Sequence, residues 1–162
     1  DVLTRVIAKI SSKSPAQHIE DIADAVGYEG AFFISLSPEG YPAFSGGGCL
    51  SARDLARFGL IFTRQGRNIA GQPFANNEFL SKTISRDAPQ LSEPKGWLRY
   101  SNHLMTDGRF VGHAGYGGQF LLIDTKRKTS ISFLSVLENE DGYDDAYMGK
   151  VAVTLKNVLQ QF

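Results

Sequence analysis

Gly112-His113-Ala114-Gly115-Tyr116-Gly117-Gly118-Gln119-Phe120-Leu121-Leu122-Ile123-Asp124 is the stretch that decides the architecture of this chain. A β-rich run lies on each side of the glycine-dense tetrad 115–118. It reads as two antiparallel strands joined by a tight turn, because glycine reaches left-handed backbone without a Cβ clash. Glycines at a strand edge also leave backbone amides uncovered, and uncovered amides suit an oxyanion. The neighbouring segments 97–105, 109–113, 119–124 and 130–137 are rich in β-branched and aromatic residues, with turn compositions at 106–108 and 125–129 between them. They predict an antiparallel meander in which Lys126-Arg127-Lys128 forms a polar hairpin tip. Beyond an acidic loop over 138–145, Tyr147, Val151, Leu155, Val158 and Leu159 recur at helical spacing. That spacing predicts a closing helix over 145–161 lying on the sheet.

Upstream the period is helical. Val2, Leu3, Val6, Ile7 and Ile10 predict a helix over 1–10, and Ser14-Pro15 caps a second over 15–25 that stops at Gly27. Residues 30–48 mix Pro38 and Pro42 with glycines and aromatics, a composition for an irregular connection with a short strand near 32–35. Ser51 caps a helix over 52–62 that turns Leu55, Phe58, Ile61 and Phe62 inward, and Asn76 or Asn77 opens another through Ile84. Residues 87–95 read as loop. The expected fold class is α/β of the α+β type, in a single domain over 1–162. Residues 1–95 form its mostly helical and loop part, and 96–162 its antiparallel sheet plus C-terminal helix, with helices 1–25 and 52–63 grouped apart from the sheet.

The 162 residues are 42% hydrophobic and 21% charged, the balance of a globular protein with a sizeable core. Lys+Arg and Asp+Glu both number 17, so no basic excess points to nucleic acid. The longest apolar runs fall far short of the ~20 residues of a membrane helix. The single Cys49 cannot form an internal disulfide and reads as a small buried hydrophobe. Asp1 opens directly into the first helix, without an initiator Met or a basic leader, which suggests a start inside something larger.

Several motifs offer chemistry. Ser45-Gly46-Gly47-Gly48 lacks the Lys-Ser/Thr of a phosphate loop and follows no strong strand. Ala43-Phe44-Ser45-Gly46-Gly47 approximates a nucleophile elbow, yet Pro42 stands before it and the helix waits until Ser51. His18, His103 and His113 share no i, i+4 pairing and no carboxylate signature, so no metal is expected. The acids of 138–145 lack calcium-loop spacing and read as a solvated loop favouring the helix that follows.

Taken with Gly46-Gly47-Gly48-Cys49-Leu50-Ser51-Ala52-Arg53-Asp54-Leu55-Ala56-Arg57-Phe58-Gly59 upstream, the segment 112–124 resembles the serine β-lactamase and penicillin-binding-protein superfamily. It looks most like the class C-like esterase and 6-aminohexanoate-dimer-hydrolase branch. The resemblance implies a partial β-lactamase/transpeptidase-like fold and hydrolysis of a small-molecule amide or ester through an acyl-enzyme, with no cofactor. It matches the family's Lys-Thr/Ser-Gly strand motif, His-x-Gly in the esterase-like branch, to His113-Ala114-Gly115. It makes His113, Ala114, Gly115, Tyr116 and Gly117 the oxyanion and substrate wall, with the Tyr116 amide as one oxyanion donor.

The family also needs a Ser-x-x-Lys on a buried helix and a Tyr-x-Asn or Tyr-x-Ser. Ser92-Glu93-Pro94-Lys95 and Tyr100-Ser101-Asn102 precede His113-Ala114-Gly115 in the family's order. Ser-x-x-Lys works because its side chains lie one helical turn apart, whereas Pro89, Pro94 and Gly96 make this stretch a poor helix. Tyr100-Ser101-Asn102 falls in the β-rich run. Both read as coincidences, so no catalytic nucleophile is expected in this chain. Two functional expectations follow. One is a C-terminal portion of a serine acyl hydrolase, inactive alone; the other is a non-catalytic module that binds a partner, such as a second copy or an absent N-terminal half, through a bare sheet edge. Acyl substrate and compartment stay open.

Overall fold

The structure, a computed structural model, describes residues 2–85, 87–92, 96–138 and 142–162. Among the described residues, six helices and seven strands run in the order α1 (Val2–Ile10), α2 (Pro15–Val26), β1 (Phe33–Ile34), β2 (Gly48–Cys49), α3 (Ala52–Phe58), α4 (Leu60–Thr63), α5 (Asn77–Ile84), β3 (Arg99–Ser101), β4 (Leu104–Thr106), β5 (Phe110–Gly115), β6 (Gln119–Asp124), β7 (Thr129–Phe133) and α6 (Asp145–Leu159). The fold is mixed α/β, with the expected antiparallel meander in the order β3-β4-β5-β6-β7. Strands β1 and β2 form a separate two-residue ribbon.

The helix ends follow from local chemistry. Ser14 Oγ accepts from the Gln17 amide while Gln17 Oε1 accepts from the Ser14 amide, a reciprocal capping box with Pro15 at the first helical position. Ser51, Asn76 and Asp144 cap α3, α5 and α6 in the same way, each accepting an amide three residues on. Gly27 ends α2 in left-handed backbone at φ 71°.

Strand β6 is the centre of the packing. Its Leu121 and Ile123, with Val111 of β5, bury against Val26, Ile61, Phe62 and Leu80 from α2, α4 and α5. Phe120 points the other way and packs with Met148 and Leu155 of α6. The period-2 alternation of β6 therefore serves two helical layers, one on each face. Each fully buried aliphatic side chain, such as Val111 or Ile123, contributes about 1.5–3 kcal/mol.

Several expectations are corrected. Helices α3 and α4 do not stand apart with α1 and α2; they lie on the sheet against β6 and β7. The expected single helix over 52–62 divides at Gly59, where the Gly59 amide bonds to Ala56 O (3.0 Å) and the Phe62 amide to Gly59 O (3.1 Å), three residues apart rather than four. The reason is close approach. A Cβ on Gly59 would run into Ser130 Oγ and come within 2.9 Å of Ile123 Cγ1. The expected strand over 97–105 is a hairpin, because Asn102 (φ 51°) and His103 (φ 62°) take left-handed backbone and reverse the chain between β3 and β4. Strand β7 stops at Phe133 rather than 137, and β5 runs on to Gly115. Cys49 is exposed, since β2 carries no covering layer. The apolar stripe Val2, Leu3, Val6 and Ile10 of α1 is exposed as well, and Thr4, which donates to Pro42 O at 3.1 Å, is the residue that α1 buries.

Gly59→Val should lower folding stability by about 1–3 kcal/mol through overpacking against Ile123 and Ser130. Gly46→Ala, whose Cβ meets nothing within 4 Å, should change it by less than about 0.5 kcal/mol. Urea unfolding of both variants checks the contrast.

Candidate functional site

Strand β5 pairs with β6 along its whole length, from Phe110↔Asp124 to Gly115↔Gln119. On its other side β4 pairs only Met105↔Gly112 and Thr106↔Val111. His113, Ala114 and Gly115 thus have a strand partner on one side alone among the described residues, and their second edge is open. Of the glycine tetrad 115–118, Gly115 lies on this edge, whereas the amides of Gly117 and Gly118 are engaged within the turn.

The turn at the end of this edge is held from behind. Gly117 (φ 76°) and Gly118 (φ 87°) take backbone that only glycine adopts without strain, and the Gly118 amide donates to Gly115 O at 3.2 Å. The Gly117 amide donates to Gly142 O (2.8 Å), the Leu137 amide to Gly117 O (3.2 Å) and Ser135 Oγ to Gly118 O (2.8 Å). Gln119 Nε2 reaches Ser135 O at 2.5 Å. A Cβ on Gly118 would strike Ser135 Oγ and come within 3.3 Å of Tyr147, so this side of the turn has no room for a side chain. The Tyr116 ring is exposed and rests on Gly142, where any Cβ would penetrate it. The Tyr116 amide has no acceptor among the described residues. A rigid turn with one free amide at its tip can donate to an oxygen that gains negative charge.

His113 is half-buried next to this turn. Burial pushes its pKa below 6.5, and the neighbouring His103 adds to that effect against an opposing backbone hydrogen bond at Ala114. The imidazole is therefore neutral at pH 7. Tyr100 lies edge-on to both histidines, with ring centroids 6.1 Å from His113 and 6.5 Å from His103. The structure thus brings Tyr100 to His113, a juxtaposition that the sequence order alone did not require. Asn102 of the same tripeptide turns away, donating through Nδ2 to Thr83 Oγ1 at 2.8 Å. In the Ser-x-x-Lys match, Glu93, Pro94 and Lys95 lie outside the described residues.

The other candidates fall elsewhere. Ser45 sits in an exposed turn followed by β2, not by a helix. His18 is far along the chain and shares a 2.7 Å hydrogen bond with Ser11 Oγ. Among the described residues no three His, Cys, Asp or Glu side chains are placed to hold a metal ion. Among the described residues no helix is long and apolar enough to cross a membrane. Sequence reasoning named Ala114 but missed Trp97 and Met105, which share a wall with it beside His113. The lone tryptophan after Gly96 was the available signal.

Because the His113 pKa is lowered on folding, the unfolded chain takes up a proton below about pH 6.5 that the folded chain resists. This contribution makes stability fall as pH drops from about 6.5 toward the folded-state value. The NMR titration of the His113 ring should show a midpoint below 6.5, and His113→Gln should flatten the stability profile in that window. A midpoint at or above 6.5 contradicts the burial argument.

A solved structure from Bacillus anthracis assigned to the 6-aminohexanoate-dimer hydrolases superposes with a TM-score of 0.74 at 22% identity, over 97% of this chain. At that identity the likeness is one of fold. The chain spans 40% of the length of that protein. No curated protein matches it. The beta-lactamase family model matches residues 2–154, nearly the whole sequence and both halves of the sheet-and-helix arrangement just described. The chain belongs to the beta-lactamase family.

Proposed function

We propose that this chain forms the oxyanion-side wall of a β-lactamase-like serine hydrolase that acts on a small ester or amide, with nucleophile and base supplied from outside these 162 residues. The observation that carries this reading is the open edge of β5 ending in the Tyr116 amide, which has no acceptor among the described residues, on a turn pinned by Gly142, Leu137 and Ser135. As the nucleophile adds to the substrate carbonyl, charge builds on its oxygen. A preformed donor there is stronger in the transition state than in the ground state. Family resemblance assigns the second donor to the nucleophilic serine's own amide. Neutral His113 beside the turn orients substrate without adding a charge.

The inactivity of the isolated chain is part of the proposal. The one Ser-x-x-Lys in the sequence contains Pro94 at its third position. Proline there removes a helical hydrogen bond and crowds the preceding turn, against the one-turn geometry that brings serine and lysine together. Activation of the nucleophile by an adjacent base is the step that most separates such an enzyme from its oxyanion hole alone.

A second reading, a self-associating module, draws on β7. This end strand pairs only with β6 among the described strands, and Thr129–Phe133 carries no charge or proline of the kind that protects natural sheet edges. A second copy pairing there, or the strands of a longer parent, satisfies the open amides.

The isolated chain should hydrolyse nitrocefin and nitrophenyl esters no faster than background. A burst with a covalent adduct on Ser92 or Ser45 contradicts this. Joined to an N-terminal half from the family, the chain should become active. Tyr116→Pro should then lower the acylation rate by about 100-fold or more, because proline removes the amide, while Tyr116→Ala stays much milder. Equal activity of folded Tyr116→Pro and the unmodified enzyme sinks the oxyanion assignment. For the second reading, sedimentation should show concentration-dependent dimers, and a compact monomer at every concentration counts against it.

A further inference from the structure

Between the start of α6 and a wall formed by Trp97, just ahead of β3, and by Met105, Ala114 and Phe120 of the sheet lies a cavity of about 460 Å³. That volume falls in the range of small-molecule sites, which are mostly apolar and few per protein. Its existence has a local cause. Helix α6 turns Ala146, Gly149 and Ala152 toward the space, and a Cβ built on Gly149 meets nothing within 4 Å. Trp97 cannot collapse into it. Lys156 sits 4.0 Å above the indole and 5.1 Å from the Phe110 ring, and its Nζ bonds to Asp107 Oδ2 at 2.6 Å. That arrangement fixes the indole as a wall.

The cavity is continuous with the candidate site. A smaller recess of about 50 Å³ shares Trp97, Met105 and Ala114 with it and is also lined by His113. At the far side Tyr143 lines the cavity directly after Gly142, the residue that holds the Gly117 amide and supports the Tyr116 ring. The cavity and the Tyr116 amide are therefore joined at two places, through Ala114 of β5, which lines the cavity two residues ahead of Tyr116, and through Tyr143, which follows the Gly142 that supports the turn. The lining atoms are mostly hydrocarbon. Among the described lining residues Asp145 is the only carboxylate, and it accepts from the Tyr143 hydroxyl at 2.7 Å.

We propose that this cavity binds the apolar part of a small uncharged ligand, an alkyl chain or an aryl ring. Resting on the hydrolase reading above, it receives that group of the ester or amide whose carbonyl is held at the Tyr116 amide. A carboxylate placed in it would lose its water, and the one ammonium beside the space among the described residues, Lys156, is already paired with Asp107, so an anionic group of the same length binds worse. Affinity grows with the apolar area removed from water.

Trp97 is the only tryptophan of the chain, so its emission reports on the cavity wall directly. The 162-residue chain titrated with 1-butanol, 1-hexanol and 1-octanol should show a saturable single-site change in emission, with affinity rising ~3- to 4-fold per added methylene. Octanoate should bind at least about tenfold more weakly than 1-octanol. Gly149→Leu places a side chain in the open space while improving helix propensity, and should weaken 1-octanol binding by about tenfold or more. Ala146→Leu repeats the plug from a second position. The proposal is overturned by the absence of a saturable change, by equal affinity along the alcohol series, by octanoate matching 1-octanol, or by unchanged binding in a folded plug variant. Binding to the isolated chain needs no nucleophile. A failure here therefore sinks the pocket alone, whereas full activity of the joined Tyr116→Pro enzyme sinks the hydrolase reading alone.

Discussion

Leu121 and Ile123 enter one helical layer and Phe120 enters the other, so a shift of β6 by a single residue would exchange two buried sets at once. That two-sided burial fixes the register of β6. Through six paired residues β6 in turn fixes β5, and the end of β5 sets where the glycine turn and its Tyr116 amide stand. The short pairing with β4 then matters as much as the long one with β6. Because β4 stops opposite Gly112, the next three residues keep an open edge.

Two buried carboxylates tie the helical layer and the hairpins to this frame. Asp54 accepts from the amides of Glu29 and Gly30 (3.1 Å each), from Ser51 Oγ (2.8 Å) and from Arg57 Nη1 (2.8 Å). The Glu29 amide above all, with the Ser51, Arg57 and Gly30 bonds, holds its pKa down to about 2 against the effect of burial. Its contribution to stability is thus present above the ordinary carboxylate range and is lost as pH falls toward about 2. Gly30 is required at this junction, since a Cβ there would lie 2.8 Å from Asp54 Oδ2. At the other end Asp124 is fully buried at the close of β6. Burial opposes its ionisation, but Arg109 at 2.5 Å and the amides of Arg127 and Lys126 more than offset that, and its pKa is lowered.

Charge and apolar packing meet again at Lys156. Its ammonium pairs with Asp107 and covers the faces of Trp97 and Phe110, so one side chain from α6 holds both the β4–β5 turn and the indole wall. Helix α6 is therefore fixed to the sheet by Met148, Leu155, Leu159 and Lys156, while Ala146 and Gly149 on its side toward Trp97 leave space unfilled. The cavity beside Trp97 follows from that difference along one helix.

Local signals in the sequence determined much of this. Ser14-Pro15, Ser51 and Asn76 marked three helix starts because a cap is a contact between residues three apart. The glycines of 115–118 marked the turn because positive φ is a property of single residues. The β-rich run 119–124 between turn compositions marked β6 as a strand, and the paired motif blocks marked the family. Tertiary structure alone decided that Asn102 and His103 break the run 97–105, with Asn102 reaching back to Thr83. It alone also decided that α3 and α4 lie on the sheet at Gly59, that Tyr100 meets His113, and that Cys49 is exposed. Each of these depends on contacts between residues distant in the chain, whereas periodicity and propensity record only the geometry of neighbours.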